Sequence, residues 1–523
     1  MNDNEKRLQA THPDYGRVAS DWRMCRDFIS GIKSLRAHDL ECWKDRLATI
    51  LNSAGKSSRE PAREGFVDRV VACYIPPVAP RMTFIEYVLY LVRGHYYNVV
   101  ADTKGDYLGQ IFGKRPEITM PPGSDSLTLD ADLAETPIEE YLETLVDEIL
   151  SVGRVGVLVE RPSIGGTILK GDAERMGIRP YCATYRAEDI LDWARARQGP
   201  RMVTTYVKLR ESVRRGDARD YNYRELRMDE GGYYQLEWTR EKAIDDYACL
   251  RIDPRIGGAD SGRPLAAIPF YPFSPHGGGI EIEAPPLMDL VDMALEHYQA
   301  SVEYANARFM VASPTPGFYG FNSDEMDGIF LGGTGGIFAT DAGAHAEFLE
   351  LKGAGLEPLR QAILDIEARQ SKLGSERLAA PKSAVESADA LRIRAKGQSA
   401  GLADIALSAS RIATQMMALA CEWNGTPGEV EIELNTSYSE MTSNPQEIAA
   451  LVAAREKNYI TQADFNARLR ETGILGTDRT DDEIAAELEH EAGQRSDAQA
   501  GSLLAAAALM RAQAAPAEEA PVA

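Results

Sequence analysis

The chain has 523 residues and carries 57 Lys+Arg against 80 Asp+Glu, a formal charge of −23. That length allows a large core in roughly two to four structural units. The acidity excludes a protein that grips nucleic-acid phosphates over its whole surface, but not one that lets DNA pass.

The six cysteines (Cys25, Cys42, Cys73, Cys182, Cys249, Cys421) contain no CxxC pair, so neither a zinc ribbon nor a disulfide framework is indicated and a reducing compartment fits. MNDNEKRLQATHPDYGR has no apolar signal region and no stretch approaches ~18 apolar residues, so use in the cytosol is expected. From Thr426 to Ala523 there are 7 Lys+Arg against 18 Asp+Glu, an acidic, alanine-rich appendix.

Residues 1–75 read as amphipathic helices, with Trp22, Phe28, Ile29 and Ile32 at helical spacing, then an Arg/Lys/Ser linker near Lys56 to Arg59. After prolines 76–80 the pattern predicts one long helix from Thr83 to Phe112, with Phe84, Val88, Leu91 and Val99 on one face. KRPEITMPPGSD is an extended segment and turn. A helix over Pro137–Ser151 then leads into the strand VGVLVE (155–160), which reads as α/β character. Between Pro180 and Phe273 short alternating strands are expected at YCATY, MVTTYVKL, GGYYQLEW, YACLRI and IPFYPF.

Leu287, Leu290, Val291, Ala294, Tyr298, Val302, Ala305 and Phe309 form one apolar stripe, predicting a helix from Pro286 to about Val311. His297 lies one residue off that stripe and reads as a packed or surface histidine, not a ligand. PTPGFYG opens a unit of about 40 residues, too small for an independent core. It contains expected strands at GFYGF (317–321), GGIFAT (335–340) and AHAEFLE (344–350) and a short helix over Ser323–Phe330. Leu356, Leu359, Ile363, Ile366, Gln370 and Leu373 then alternate at three and four, a seam for another helix. SERLAAPKSAVES is broken at Pro381, which forbids fusion of that helix with the next one.

From Val385 to Trp423 runs a helix of about 39 residues, ~58 Å at ~1.5 Å per residue. Leu402, Ile405, Ala409, Ile412, Met416, Leu419 and Trp423 form its seam, and Gly397 and Gly401 suggest a bend. VEIELN (430–435) is a single strand. Short helices capped at Thr461 and Thr480 come next, then a low-complexity end.

No chemistry emerges from the motifs. GGTGG (332–336) lacks the Lys and Ser/Thr of a phosphate loop and precedes no helix, so it reads as a turn. GxSxG and HExxH are absent, LEHEAG holding only His490 and Glu491 of the latter. Asn424-Gly425-Thr426 matches a glycosylation sequon, taken as chance without an export signal. No catalytic residue, metal ligand or cofactor is assigned.

The order of elements resembles the portal proteins of tailed bacteriophages, over roughly residues 80 to 490. It is carried by HYYNVVADTKGDYLGQIFGKRPEI (95–118), LSVGRVGVLVERP (150–162), IPFYPF followed by PPLMDLVDMALEHYQASVEYANARFMVASPTPGFYG (285–320), and ITQADFNARLRETGIL (460–475). Residues 1–75 match nothing assignable.

The resemblance implies an α+β, mainly helical fold. Residues 76–285 with 425–442 would form a wing, 286–312 and 356–375 paired stem helices, and 313–355 a clip. Residues 376–386 would be a tunnel loop, 387–424 a long bent wing helix and 443–523 a crown. It further implies a homo-oligomeric ring, usually of twelve copies, at one capsid vertex. Double-stranded DNA would pass without sequence specificity, and large terminase, head–tail adaptor, capsid and scaffold proteins would be partners, with no membrane.

Tunnel-loop candidates are Arg377, Pro381, Lys382 and Ser383, and clip docking candidates are Phe318, Tyr319, Phe321, Phe330, Phe338 and Phe348. Two other readings are another phage structural or scaffold-like protein, and a cytosolic enzyme whose site is assembled from residues far apart in sequence.

Overall fold

The structure is a computed structural model. It describes residues 3–53, 73–76, 82–162, 172, 175–215, 218–241, 246–256, 262–312, 315–319, 337–339, 345–349, 353–375, 388–436, 438, 451–455, 457, 459–471, 475, 480–481 and 483–487. The chain forms two compact units, Met1–Ser437 and Tyr438–Ala523.

The first unit begins with α1 (Asp3–Gln9), α2 (Tyr15–Ser30) and α3 (Ile32–Ser53). Helix α2 buries Trp22, Cys25 and Phe28 completely. Its Arg26 reaches Glu148 at 2.8 Å and Glu188 at 2.5 Å, so the N-terminal helices are built into the body of this unit. The predicted helix over Thr83–Phe112 is two helices, α4 (Phe84–Arg93) and α5 (Val99–Phe112). Three contacts account for the break. Gly94 sits against Val302, where any Cβ would collide, and the Arg36 guanidinium donates to the carbonyls of Val92 and Gly94. Asn98 then restarts the helix by accepting from the Ala101 N–H at 3.2 Å.

Strand β1 (Glu117–Thr119) and the short α6 (Asp125–Leu129) precede α7 (Ile138–Val152), which ends on Gly153 at φ +74°, a left-handed cap against Ala284 and Pro285. Next come β2 (Val155–Glu160) and β3 (Tyr181–Arg186), then β4 (Ile190–Gln198), β5 (Arg201–Arg215), β6 (Ala218–Asp229), β7 (Gly232–Glu241) and β8 (Asp246–Ile252). Strands β4 to β8 pair antiparallel in chain order, a meander. Neither β4 nor β6 is among the strands expected from sequence. After β9 (Arg255–Ile256) and β10 (Arg263–Pro264), β11 (Phe270–Phe273) joins β2.

The α/β reading of VGVLVE is corrected in one respect. Strand β2 is central in the order β11–β2–β3, and both of its pairings are antiparallel. Its run is apolar because α7 and the long helix of the chain pack on this small sheet, so no solvent-facing alternation is left.

Helix α8 (Met288–Ala312) leads into β12 (Thr315–Tyr319), β13 (Ile337–Ala339) and β14 (His345–Leu349), and α9 (Leu356–Ser375) returns beside α8. Helix α10 spans Ala388–Asn424 without interruption, and β15 (Glu431–Glu433) closes the unit by pairing antiparallel with β1. The architecture is thus mixed helix and sheet, as the α+β class requires. In the second unit, α11 (Gln462–Glu471) is capped by Thr461, whose side chain accepts from the Asp464 N–H at 3.1 Å. Further helical residues lie at 451–455 and 483–487.

Candidate functional site

The feature on which a function can be built is the segment from α8 to α10: an antiparallel helical pair, a small sheet at its far end, and a long helix returning to the body. Helix α8 is divided along its length. Leu290, Val291, Ala294, His297, Tyr298 and Val302 are buried, whereas no residue from Glu303 to Ala312 is. It packs on α2, α4 and α5, and the contact with the end of α4 reaches into its second half, where Arg93 donates to Asn306 at 3.1 Å and lies over the Phe309 ring.

Helix α9 holds to α8 through a thin seam. Ile366 and Gln370 are buried, the Gln370 amide donates to the Met293 carbonyl at 3.1 Å, and Arg369 meets Glu296 at 3.3 Å. His297 is buried, with Nε2 3.1 Å from Glu367 Oε1, so it is a packed histidine that ties the two helices together. Most of α9 from Leu356 to Ser371 faces solvent or is only half covered, and Leu364 and Met310 are exposed apolar residues on the pair. The two helices carry seven carboxylates and four Lys/Arg between them.

At the tip, β12 is central. It pairs parallel with β13 and antiparallel with β14, so Phe318 is opposite Phe338 and Ala346, Tyr319 opposite Ala339 and His345, and Pro316 opposite Phe348. Four clip candidates, Phe318, Tyr319, Phe338 and Phe348, therefore fall in one three-stranded sheet. Phe321 and Phe330, the predicted helix over 323–330 and the GGTGG turn lie outside the described residues. So do Arg377, Pro381, Lys382 and Ser383.

Helix α10 has its C-terminal part sunk into the first unit. Ala406, Ala409, Ala413, Met416, Met417, Ala420 and Cys421 are fully or nearly fully buried, and its small side chains let it approach β2, β11 and α7 closely. Polar groups fix the register: Ser408 Oγ donates to the Ser274 carbonyl at 3.1 Å, and the N–H groups of Ile432 and Leu434 donate to Thr414 and Ser410. The seam predicted from Leu402 to Trp423 is thus spent within the chain. Asp404, Leu407, Arg411, Gln415 and Ala418 form the exposed strip. The helix runs through Gly397 and Gly401, and among the described residues, apart from the helix's own backbone, nothing lies within 4 Å of a Cβ added at Gly401.

Sequence reasoning missed a set of half-buried charges that braces the meander. Arg224 of β6 contacts Glu160, Glu211 and Glu237, and these carboxylates hold its guanidinium firmly protonated despite burial. Burial pushes the Glu237 carboxyl up, against the pull of Arg224. No spacing rule finds such a set, because its members come from β2, β5, β6 and β7. Among the described residues no group of three His, Cys, Asp or Glu could hold a metal ion, and no helix is long and apolar enough to cross a membrane.

Residues 286–424 match the family model described as a domain of unknown function, DUF4055. The match starts two residues before α8 and stops at the last residue of α10. No curated protein matches the chain.

Among solved structures, the chain is similar to one described as the neck of a native GTA particle computed with C12 symmetry, at 13% identity and a TM-score of 0.32, covering 75% of this chain and 94% of that one. It is also similar to the neck of an empty GTA particle computed with C6 symmetry, at 11% identity and a TM-score of 0.31, covering 76% and 95%. A third, from the virion of a native gene transfer agent particle, has 13% identity, a TM-score of 0.29 and coverage of 77% and 93%.

Proposed function

We propose that the chain is a portal-type subunit: copies of it form a closed ring at one capsid vertex, through which double-stranded DNA enters and leaves. The observation that supports this reading is the α8–sheet–α9–α10 arrangement. A helical pair of which one partner has no fully buried residue over its distal half and the other only two, ending in a three-stranded sheet too small to stand alone, is poorly stable as a monomer's appendage. It becomes stable when neighbouring copies cover it. A ring does so with one repeated heterologous contact, which closes if the rotation is right.

In that assembly the α8–α9 pair is the stem and the β12–β14 sheet the clip, which docks the terminase and the head–tail adaptor. The Lys382 loop faces the axis. The charge balance of the stem suits the task. Seven carboxylates against four cations give DNA phosphates little to bind, and each phosphate neutralised would add salt-dependent affinity and so resist sliding.

Electron microscopy of the purified chain tests the reading. Closed rings with a central hole are expected. A stable monomer at every ionic strength, or an open filament, overturns it.

A further inference from the structure

The N-terminal helices hold a side-chain constellation that lies apart from the stem, the clip and the meander. Cys73 is brought to Cys42 of α3 by its neighbour Tyr74, whose ring stacks on His38 at 4.1 Å and whose N–H donates to Asp39 at 2.8 Å, and the two thiols interact. His38 sits one turn before Cys42, with Nε2 3.6 Å from Cys42 Sγ, and its Nδ1 is 3.4 Å from Asp27 Oδ2 on α2. Tyr74 and Ser34 donate to the same Asp27 carboxylate, at 2.9 and 2.5 Å, which fixes it beside the imidazole. His38 also lines a cleft of about 540 Å³ with Arg23, Asp27, Ser34 and Glu41. Cys42 and Cys73 are both half-buried, while Cys25, Cys182 and Cys421 are buried and Cys249 is exposed.

We propose that Cys42 and Cys73 are a redox-active thiol pair, closed into a disulfide by a low-molecular-weight disulfide such as oxidised glutathione, with His38 as the proton acceptor. The Cys42 proton passes to His38, and the thiolate attacks one glutathione sulfur. A mixed disulfide forms and one glutathione leaves as a thiolate, taking up a proton. Cys73, losing its own proton, attacks the Cys42 sulfur and expels the second glutathione. Two thiols and one disulfide become one disulfide and two thiols, with two electrons passing from the pair to the oxidant.

Burial pushes the Cys42 thiol up while the Cys73 contact pulls it down, so the thiol needs a base close by, and His38 supplies one. Closure ties α3 covalently to the residues that lead into α4. It does not depend on the ring.

The test treats the full-length chain with oxidised glutathione and reads intact mass, free-thiol count and cysteine-linked peptides. The expected result is four free thiols where the reduced chain has six. It also includes a mass lower by about 2 Da and a Cys42–Cys73 linked peptide. His38→Gln should slow closure by about tenfold or more with the endpoint unchanged, which a merely structural histidine would not do.

Cys73→Ser should stop at a glutathione adduct on Cys42. Six free thiols after treatment, adducts without the intramolecular link, or only intermolecular links through Cys249 would each overturn the proposal. These are all read on the wild-type chain, so they hold even if a variant fails to fold.

Discussion

Asp39 on α3 is fully buried, and its Oδ1 accepts the N–H groups of Tyr74 and Ile75 at 2.8 and 3.2 Å. Burial pushes its carboxyl up to about 7, against the lowering pull of those two bonds. Because the folded chain holds this proton and the unfolded chain releases it near pH 4, the resulting stability is full below the ordinary carboxylate range and is lost as pH rises towards 7. Asp39→Asn keeps the acceptor and removes the charge. Denaturant unfolding from pH 4 to 8 should show the wild-type chain losing up to about 1.4 kcal/mol per pH unit in that window, and the variant a flatter profile.

Arg224 poses the opposite case. Arg224→Met leaves Glu160, Glu211 and Glu237 facing one another in partial burial, and should cost about 3 to 5 kcal/mol in the same assay, part of it regained by adding Glu160→Gln. Neither residue is legible in the sequence. An aspartate and an arginine in charged stretches look like solvated faces until the fold sets the N–H groups of Tyr74 and Ile75 against the one and carboxylates from other strands against the other.

At the scale of elements, the stripe from Leu287 to Phe309 and the seams of α9 and α10 come directly from their spacing, because a helix that buries one face leaves a period in the sequence. The meander was only partly legible. In β4, WARARQ is exposed on both faces after Trp193, and in β6, DYNYRELRMD carries Arg224 and Glu225 on opposite faces, each paired with another element, so neither shows a clear period of two. The break between α4 and α5 left only Gly94 and Asn98 as local signs, since two of its causes, Val302 and Arg36, are some 200 and some 60 residues away. Gly94→Ala should therefore destabilise by about 1 to 3 kcal/mol although its backbone φ of −68° suits alanine, and Val302→Ala should relieve much of that cost in a double-mutant cycle. Simple additivity of the two changes would show that the contact does not set the break. The tip makes a separate prediction. Deleting Gly317–Glu350 and bridging the gap with a short turn should leave ring assembly largely intact and abolish adaptor and terminase binding, measured by co-sedimentation with those partners. Unchanged partner binding would remove the docking role from the sheet.

For the whole molecule, the first unit buries the C-terminal part of α10 against its own sheet and leaves the distal part of α8 and most of α9 half-covered or exposed. In the proposed ring, neighbouring copies would cover what the chain cannot bury alone, and the acidic stem would surround DNA without holding it. A three-dimensional reconstruction of the assembled chain by electron cryomicroscopy tests this most directly. The expected result is a closed ring in which the α8–α9 pairs line the central channel, residues 376–386 mark its narrowest point, and the β12–β14 sheets form one rim. A ring with those helical pairs on its outer surface, or particles that never close, would contradict it.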